Sequence, residues 1–286
     1  MRYETHEFKV GAFTCTLLSD GTFHYPAEGM VPGISQKDLA KWLDKSQPDV
    51  VPSPWICLLV DTGDRKLLID TGGGPTAVDA FPGTGKLFRA LQSRGVTAEQ
   101  IDTVVISHGH PDHAGGCIDA LGEPAFPNAR YVMLQDDWQF WTSEETLQAL
   151  EGMGDHFHEV LASFARRCLP PIERQLELLA GQREIVPGIH AMPAPGHTPG
   201  HLVVRIESGD ESLLYLADTA VHPLYLEQPS WHLVADTDPD AAVGTRRRVL
   251  DMAATENMAV VAFHFPFPGL GRIERNGDAW RWQPLA

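Results

Sequence analysis

Positive charge is scarce in this 286-residue chain: Lys and Arg number 22 against 38 Asp and Glu, a formal net charge of −16. A nucleic-acid backbone or an anionic membrane surface calls for a basic footprint, so neither is an expected partner. Cysteine is scarce too. Cys15, Cys57, Cys117 and Cys168 are widely spaced and form no Cys-x-x-Cys pair, which excludes a zinc ribbon or a dithiol redox motif and fits reduced thiols. No run approaches the ~18 apolar residues of a membrane span, and the first ten residues lack an apolar signal core. A cytoplasmic protein is expected.

Common nucleophile and nucleotide motifs are missing as well. Gly85-Lys86 resembles part of a phosphate loop, but that motif needs Gly at position 80 and Ser or Thr at 87, where the chain has Ala80 and Leu87. Ser107 is not in a Gly-x-Ser-x-Gly elbow, because Val105 replaces the first Gly, and no cysteine sits in a nucleophile motif.

What the chain does have is a dense ligand segment, Ile106 to Gly116, reading Ile-Ser-His-Gly-His-Pro-Asp-His-Ala-Gly-Gly. His108, His110, Asp112 and His113 offer nitrogen and oxygen donors suited to zinc, manganese, iron or cobalt. They follow Thr103–Ile106, a β-branched run that reads as a buried strand. His108 and His110 point the same way from extended chain, whereas Asp112 and His113 leave at another backbone angle, beside Ala114-Gly115-Gly116, where close packing is possible. Two pairs at two angles suit two adjacent metals better than one.

This His-x-His-x-Asp-His segment resembles the signature of the metallo-β-lactamase-fold hydrolase superfamily. Three further ligands of that pattern match one by one: His197 in Ala-Pro-Gly-His-Thr-Pro-Gly-His, Asp218 in Leu-Tyr-Leu-Ala-Asp-Thr, and His264 in Phe-His-Phe-Pro-Phe-Pro-Gly. The resemblance covers about residues 55–275 and implies an α/β fold, a four-layer αβ/βα sandwich. It implies that His108, His110 and His197 hold one divalent ion, that Asp112, His113 and His264 hold another, and that Asp218 bridges them. Zinc is the first expectation, with manganese, iron and cobalt as alternatives. Asp70 matches a position that orients a ligand without binding metal, as imidazole ligands require on their other ring nitrogen. The implied chemistry is hydrolysis by a bridging hydroxide, since metal binding brings the pKa of water from 15.7 down to about 7. Asp112 and Asp218 would be its catalytic carboxylates, and His222, four residues past Asp218, a donor to a substrate oxygen.

Within the superfamily, Asp20-Gly-Thr-Phe, the Asp236-Thr-Asp-Pro helix start and the segment around His264 look like the methyl parathion hydrolase and acyl-homoserine lactonase branch. Many lactonases there carry a tyrosine three residues after the bridging aspartate. This chain has Val221, in keeping with organophosphate and aryl-ester hydrolysis. Trp231, Phe265 and Phe267 near the ligands predict an aromatic, apolar cleft for neutral esters, lactones or phosphotriesters. Three alternatives are a mononuclear-iron enzyme of the persulfide-dioxygenase kind, a nuclease, which the charge disfavours, and a non-catalytic metal-dependent binding protein.

Elsewhere the pattern predicts one domain over 1–286. A strand over Phe8–Ser19 would turn at Asp20-Gly21, and Trp55–Asp61 and Lys66–Asp70 would form a hairpin. A helix starting at Ser35 would bury Leu39, Trp42 and Leu43, and the loop and helix before residue 50 would act as a lid, a homodimer contact or plain surface. Lys86–Arg94 reads as a helix, Ala129–Leu134 as a strand, and about 135–181 as a helical insertion whose aromatics, Trp138, Phe140, Trp141, Phe157 and Phe164, would line a substrate pocket or, as is more common at mixed helical spacing, simply pack. Strands follow over 190–193, 202–207 and 213–217, then a helix begun by Asp238-Pro239, then a strand over 258–263.

Overall fold

The computed structural model describes residues 3–27, 30–40 and 49–285. Seven strands form one sheet in sequence order: β1 (Thr5–Val10), β2 (Phe13–Pro26), β3 (Val50–Asp61), β4 (Lys66–Ile69), β5 (Thr103–Val105), β6 (Arg130–Leu134) and β7 (Leu176–Leu179). The first four pair antiparallel and β4 to β7 pair parallel. A second sheet holds β8 (Arg183–Val186), β9 (Ile189–Pro193), β10 (Leu202–Ser208), β11 (Glu211–Tyr215), β12 (Ala259–Val261), β13 (Leu270–Asn276) and β14 (Ala279–Pro284), antiparallel except between β11 and β12. The helices are α1 (Gln36–Leu39), α2 (Leu87–Ser93), α3 (Pro111–Ala114), α4 (Gln135–Thr142), α5 (Glu144–Glu151), α6 (His156–Cys168), α7 (Leu224–Glu227) and α8 (Pro239–Thr255).

The period-2 alternation of strands explains why the apolar runs of β10, β11 and β12 are continuous. Leu202, Val204, Leu213, Tyr215 and Val261 join a core that also contains Leu17, Val60 and Val104 of the first sheet. Their neighbours Val203, Leu214 and Val260 face the other way and pack with Val249, Leu250 and Ala253 of α8. The second sheet is therefore buried on both faces at its centre, from β10 to β12. Helices α2 and α4 pack on strands of the first sheet, which completes the αβ/βα sandwich.

Several expectations shift. Asp20-Gly21 is no hairpin turn, because β2 runs through it to Pro26 with a register shift between Ser19 and Gly21. Gly21 (φ +132°) lies so close to the carbonyl of Gly83 that a Cβ would sit 2.1 Å from it, and the buried Asp20 carboxylate accepts from the amides of Gly73, Gly85 and Leu87. The pair thus serves a bulge and an internal staple. The stretch after β6 is helical through α6 and a 3₁₀ segment at Pro170–Gln175, but Leu176–Leu179 is a strand that returns to the sheet beside β6. The C-terminal hairpin β13–β14 lies beyond the strands that the pattern predicts. Trp42 and Leu43 lie outside the described residues.

Candidate metal centre

The ligand residues leave the sheets at the ends of β5, β11 and β12 and in the turn between β9 and β10. Past β5 the chain passes His108 and His110, and Pro111 then opens α3 at its first position, where the missing N–H costs nothing. The glycines behind α3 let two backbone segments touch: a Cβ on Gly116 would meet the Thr71 carbonyl at 2.1 Å, and one on Gly115 would meet that of Gly73 at 2.4 Å. Ala217, just before Asp218, holds a left-handed backbone (φ +44°), a strained conformation for a residue with a Cβ and one that clusters at functional sites.

Seven side chains converge, all of them buried. His108 Nε2 lies 2.9 Å and His197 Nε2 3.0 Å from His110 Nδ1. Asp112 Oδ2 lies 3.3 Å from His264 Nε2 and 3.7 Å from His113 Nε2. Asp218 spans the two groups. Its Oδ1 is 3.1 Å from His113 Nε2 and 3.3 Å from His264 Nε2, and its Oδ2 is 3.3 Å from His197 Nε2 and 3.9 Å from His108 Nε2.

These donors fit two divalent cations. Tetrahedral coordination at about 2.0–2.1 Å puts ligand atoms about 3.3 Å apart, close to the spacings found here. His113 Nε2 and Asp218 Oδ1 are buried without a hydrogen-bond partner, and groups of that kind need a counterpart. Burial alone would depress the imidazoles, and His108 and His110 do lie well below the usual histidine range. At His197 and His264 the neighbouring carboxylates, Asp218 foremost, override that burial and bring both up to about 9. Asp218 is held well below the carboxylate range, because His113 and His264 outweigh its burial. A bound cation would take the place of those protons.

The outward ring nitrogens are also engaged. Asp70, fully buried and in the left-handed region (φ +59°), accepts from His113 Nδ1 at 2.8 Å, from Ser107 N and Oγ at 2.7 and 2.8 Å, and from Tyr215 Oη at 2.8 Å. Asp236 Oδ1 sits 2.8 Å from His197 Nδ1, and Ser53 Oγ 2.7 Å from His264 Nδ1. His201 Nε2 accepts the Asp218 amide at 3.0 Å while Nδ1 donates to the Ala194 carbonyl, and burial brings this imidazole down to about 3. Asp137 of α4 binds both ligand-bearing loops: its carboxylate accepts from Gly109 N at 2.8 Å, from Gly200 N at 3.1 Å and from the Thr198 hydroxyl. Asp137, Ser53, Tyr215 and His201 were not singled out in the sequence, and Asp236 only as part of a helix start. Each is a common residue in an unremarkable local pattern, and only the fold brings it to a ligand.

A cavity of about 110 Å³ opens over the ligands. Apolar side chains, Phe81, Phe157, Leu161, Val221 and Leu233 among them, line it, and no Lys or Arg does so among the described residues. A larger space of about 480 Å³ adjoins it, sharing His110, Phe157, Leu161, Val234 and Ala235, and is walled by Phe140, Trp141 and Leu150. The apolar character was expected, but the residues expected to supply it stand elsewhere. Phe265 is fully buried in the second core, edge-on to Trp282 at 4.9 Å, because the chain bends straight after His264. Phe267 packs on the first core and Trp231 on the second. Neither Trp231 nor either Phe lines the cavity, and nor does His222, whose Nδ1 accepts the Leu224 amide at 3.2 Å at the start of α7.

The model of the Metallo-beta-lactamase superfamily matches residues 56–264. An N-acyl homoserine lactonase from Bacillus sp is 26% identical over 176 residues, which cover 56% of this chain and 61% of that protein. The chain thus spans less than two thirds of that relative. The lactonase of Bacillus thuringiensis is 22% identical over 229 residues, 74% of this chain and 81% of its own. Among solved structures, AidC, a dizinc quorum-quenching lactonase, superposes with a TM-score of 0.90 at 28% identity over 99% of this chain and 98% of its own. The hydrolase AbOPH shares the fold, with a TM-score of 0.88 at 24% identity over 100% and 99% of the two chains. With the family model covering well over half of its length, the chain belongs to the Metallo-beta-lactamase superfamily.

Proposed function

We propose that this protein is a hydrolase of lactone and ester bonds in neutral, hydrophobic substrates, working with two divalent ions, zinc first among them. The observation that carries this reading is the placement of Asp218, with one carboxylate oxygen toward each ligand group. His108, His110 and His197 would hold one ion, Asp112, His113 and His264 the other, and Asp218 would serve both. Bound there, the ions supply hydroxide at neutral pH and counter the charge that develops on a carbonyl oxygen. Asp70, Asp236 and Ser53 fix the ring orientation of His113, His197 and His264 through the outward nitrogens. The apolar walls exclude water and take up acyl or aryl groups, and the lack of a cationic clamp among the described residues disfavours phosphate dianions and free carboxylates. The lactonase relatives and the dizinc AidC support the same reading. Phosphotriesters, neutral and branched, belong to the substrate range on the same grounds.

A matched panel tests it: lactones, aryl esters and phosphotriesters against phosphomonoesters, phosphodiesters and glutathione thioesters, with and without chelator. The neutral substrates should be turned over with the higher kcat/KM, and the chelator should abolish it. Charged substrates ahead by more than about tenfold, roughly 1.4 kcal/mol in transition-state binding, would overturn the neutral-substrate reading.

A further inference from the structure

Hydrolysis of an unactivated ester or lactone needs a proton on the leaving oxygen, and the side chains around the cavity leave few sources. Its polar lining among the described residues consists of Tyr25, Ser53 and five ligand residues. The five converge on the two clusters, and Ser53, whose Oγ lies 2.7 Å from His264 Nδ1, carries an aliphatic hydroxyl, a far weaker acid than a phenol. Tyr25 remains. Its ring is set edge-on against Phe23 at 4.7 Å, on strand β2 directly opposite Val51, whose side chain also faces the cavity. Asp112, Asp218 and His264 line the same cavity, which places the phenol beside the clusters.

We propose that the Tyr25 phenol is the proton donor to the leaving oxygen, which makes it a catalytic residue. This rests on the hydrolase reading above. Hydroxide adds to the carbonyl carbon, the C–O bond to the leaving group breaks with its electron pair going to oxygen, and that oxygen takes the Tyr25 proton. The phenolate recovers a proton from the carboxylic acid just formed, leaving a carboxylate, an alcohol and neutral Tyr25. A donor carried on a paired strand is held in place before substrate arrives, which is what a general acid requires.

The test is Tyr25→Phe in the zinc-loaded enzyme, assayed on a γ-lactone, which expels an alkoxide, and on a 4-nitrophenyl ester, whose phenolate leaves without help. Kcat for the lactone should fall about 10²–10³-fold with a smaller change in KM, and the loss for the nitrophenyl ester should be at least tenfold less. Calorimetry with the ring-opened 4-hydroxy acid should show weaker binding to the variant, with zinc content unchanged. Equal losses for both leaving groups, or no loss for the lactone, would overturn the assignment while leaving the hydrolase reading intact. A wild-type enzyme that hydrolyses neither substrate would remove both.

Discussion

His113 and His264 lean on residues of the sheets: Asp70 directly after β4, tied to Tyr215 at the end of β11, and Ser53 within β3. His110 and His197 lean on helical excursions. Trp141 of α4 packs against the His110 ring at 5.1 Å, Asp137 of α4 holds the backbone beside both histidines, and Asp236 comes from the loop ahead of α8. The partners of His113 and His264 thus come from the sheets, although α3 itself packs on α6, while the backbone beside His110 and His197 is held by α4. Loss of the Asp137 contacts should weaken the ion at the three-imidazole cluster more than the other.

Asp218→Ala should have the largest effect because it removes the one carboxylate common to both clusters. Hydrolysis should fall at least about 10³-fold and bound metal should drop below two ions per chain, as read by elemental analysis. Full metal content with retained activity would show that the clusters do not depend on a shared ligand.

Asp70→Ala comes next. Four hydrogen bonds converge on this buried carboxylate, so its removal leaves Ser107, Tyr215 and His113 without their acceptor and should cost about 3–5 kcal/mol of stability, measured by denaturant unfolding. The ion at the Asp112 cluster should be the first to go.

Asp137→Asn should act on the other side. Metal affinity at the three-imidazole cluster should weaken about 10–100-fold, seen as one shifted step in a competitive chelator titration. Two steps shifted equally would erase the distinction between the clusters.

The smallest effect belongs to His222→Ala, since that ring faces the start of α7 and does not line the cavity. Activity should stay within about threefold. Burial brings this imidazole down to about 4, below the usual value near 6.5. The unfolded chain therefore binds more protons in that window, and the contribution of His222 is intact above pH ~6.5 and lost as pH falls toward ~4. Urea midpoints across pH 4–7 should show a shallower acid slope in the variant, and identical slopes would contradict this placement.

How much of this was legible in the sequence depended on spacing. His108, His110, Asp112 and His113 fall within six residues beside an apolar strand, so local pattern sufficed, and the family pattern reached His197, Asp218 and His264. Behind them Asp70 was legible through the same family pattern, but Asp137 was not, because it stands 28 residues from Gly109 and 63 from Gly200, and no local period encodes such a contact. Asp20-Gly21 was misread for a related reason. An Asp-Gly pair signals a turn locally, but here partners more than fifty residues away claim the carboxylate and the bulge. Adjacency in sequence does not fix direction where the chain bends past His264, so Phe265 and Phe267 stand away from the cavity, and Tyr25, at the end of β2, carries no local signal because the Pro- and Gly-rich stretch that begins there has no period.

Zinc titration of metal-free protein, followed by calorimetry with elemental analysis at saturation, tests the central claim most directly. Two ions per chain, falling to one in His264→Ala, is the predicted result. One ion at saturation, with His264→Ala leaving that number unchanged, would contradict the two-cluster centre joined by Asp218.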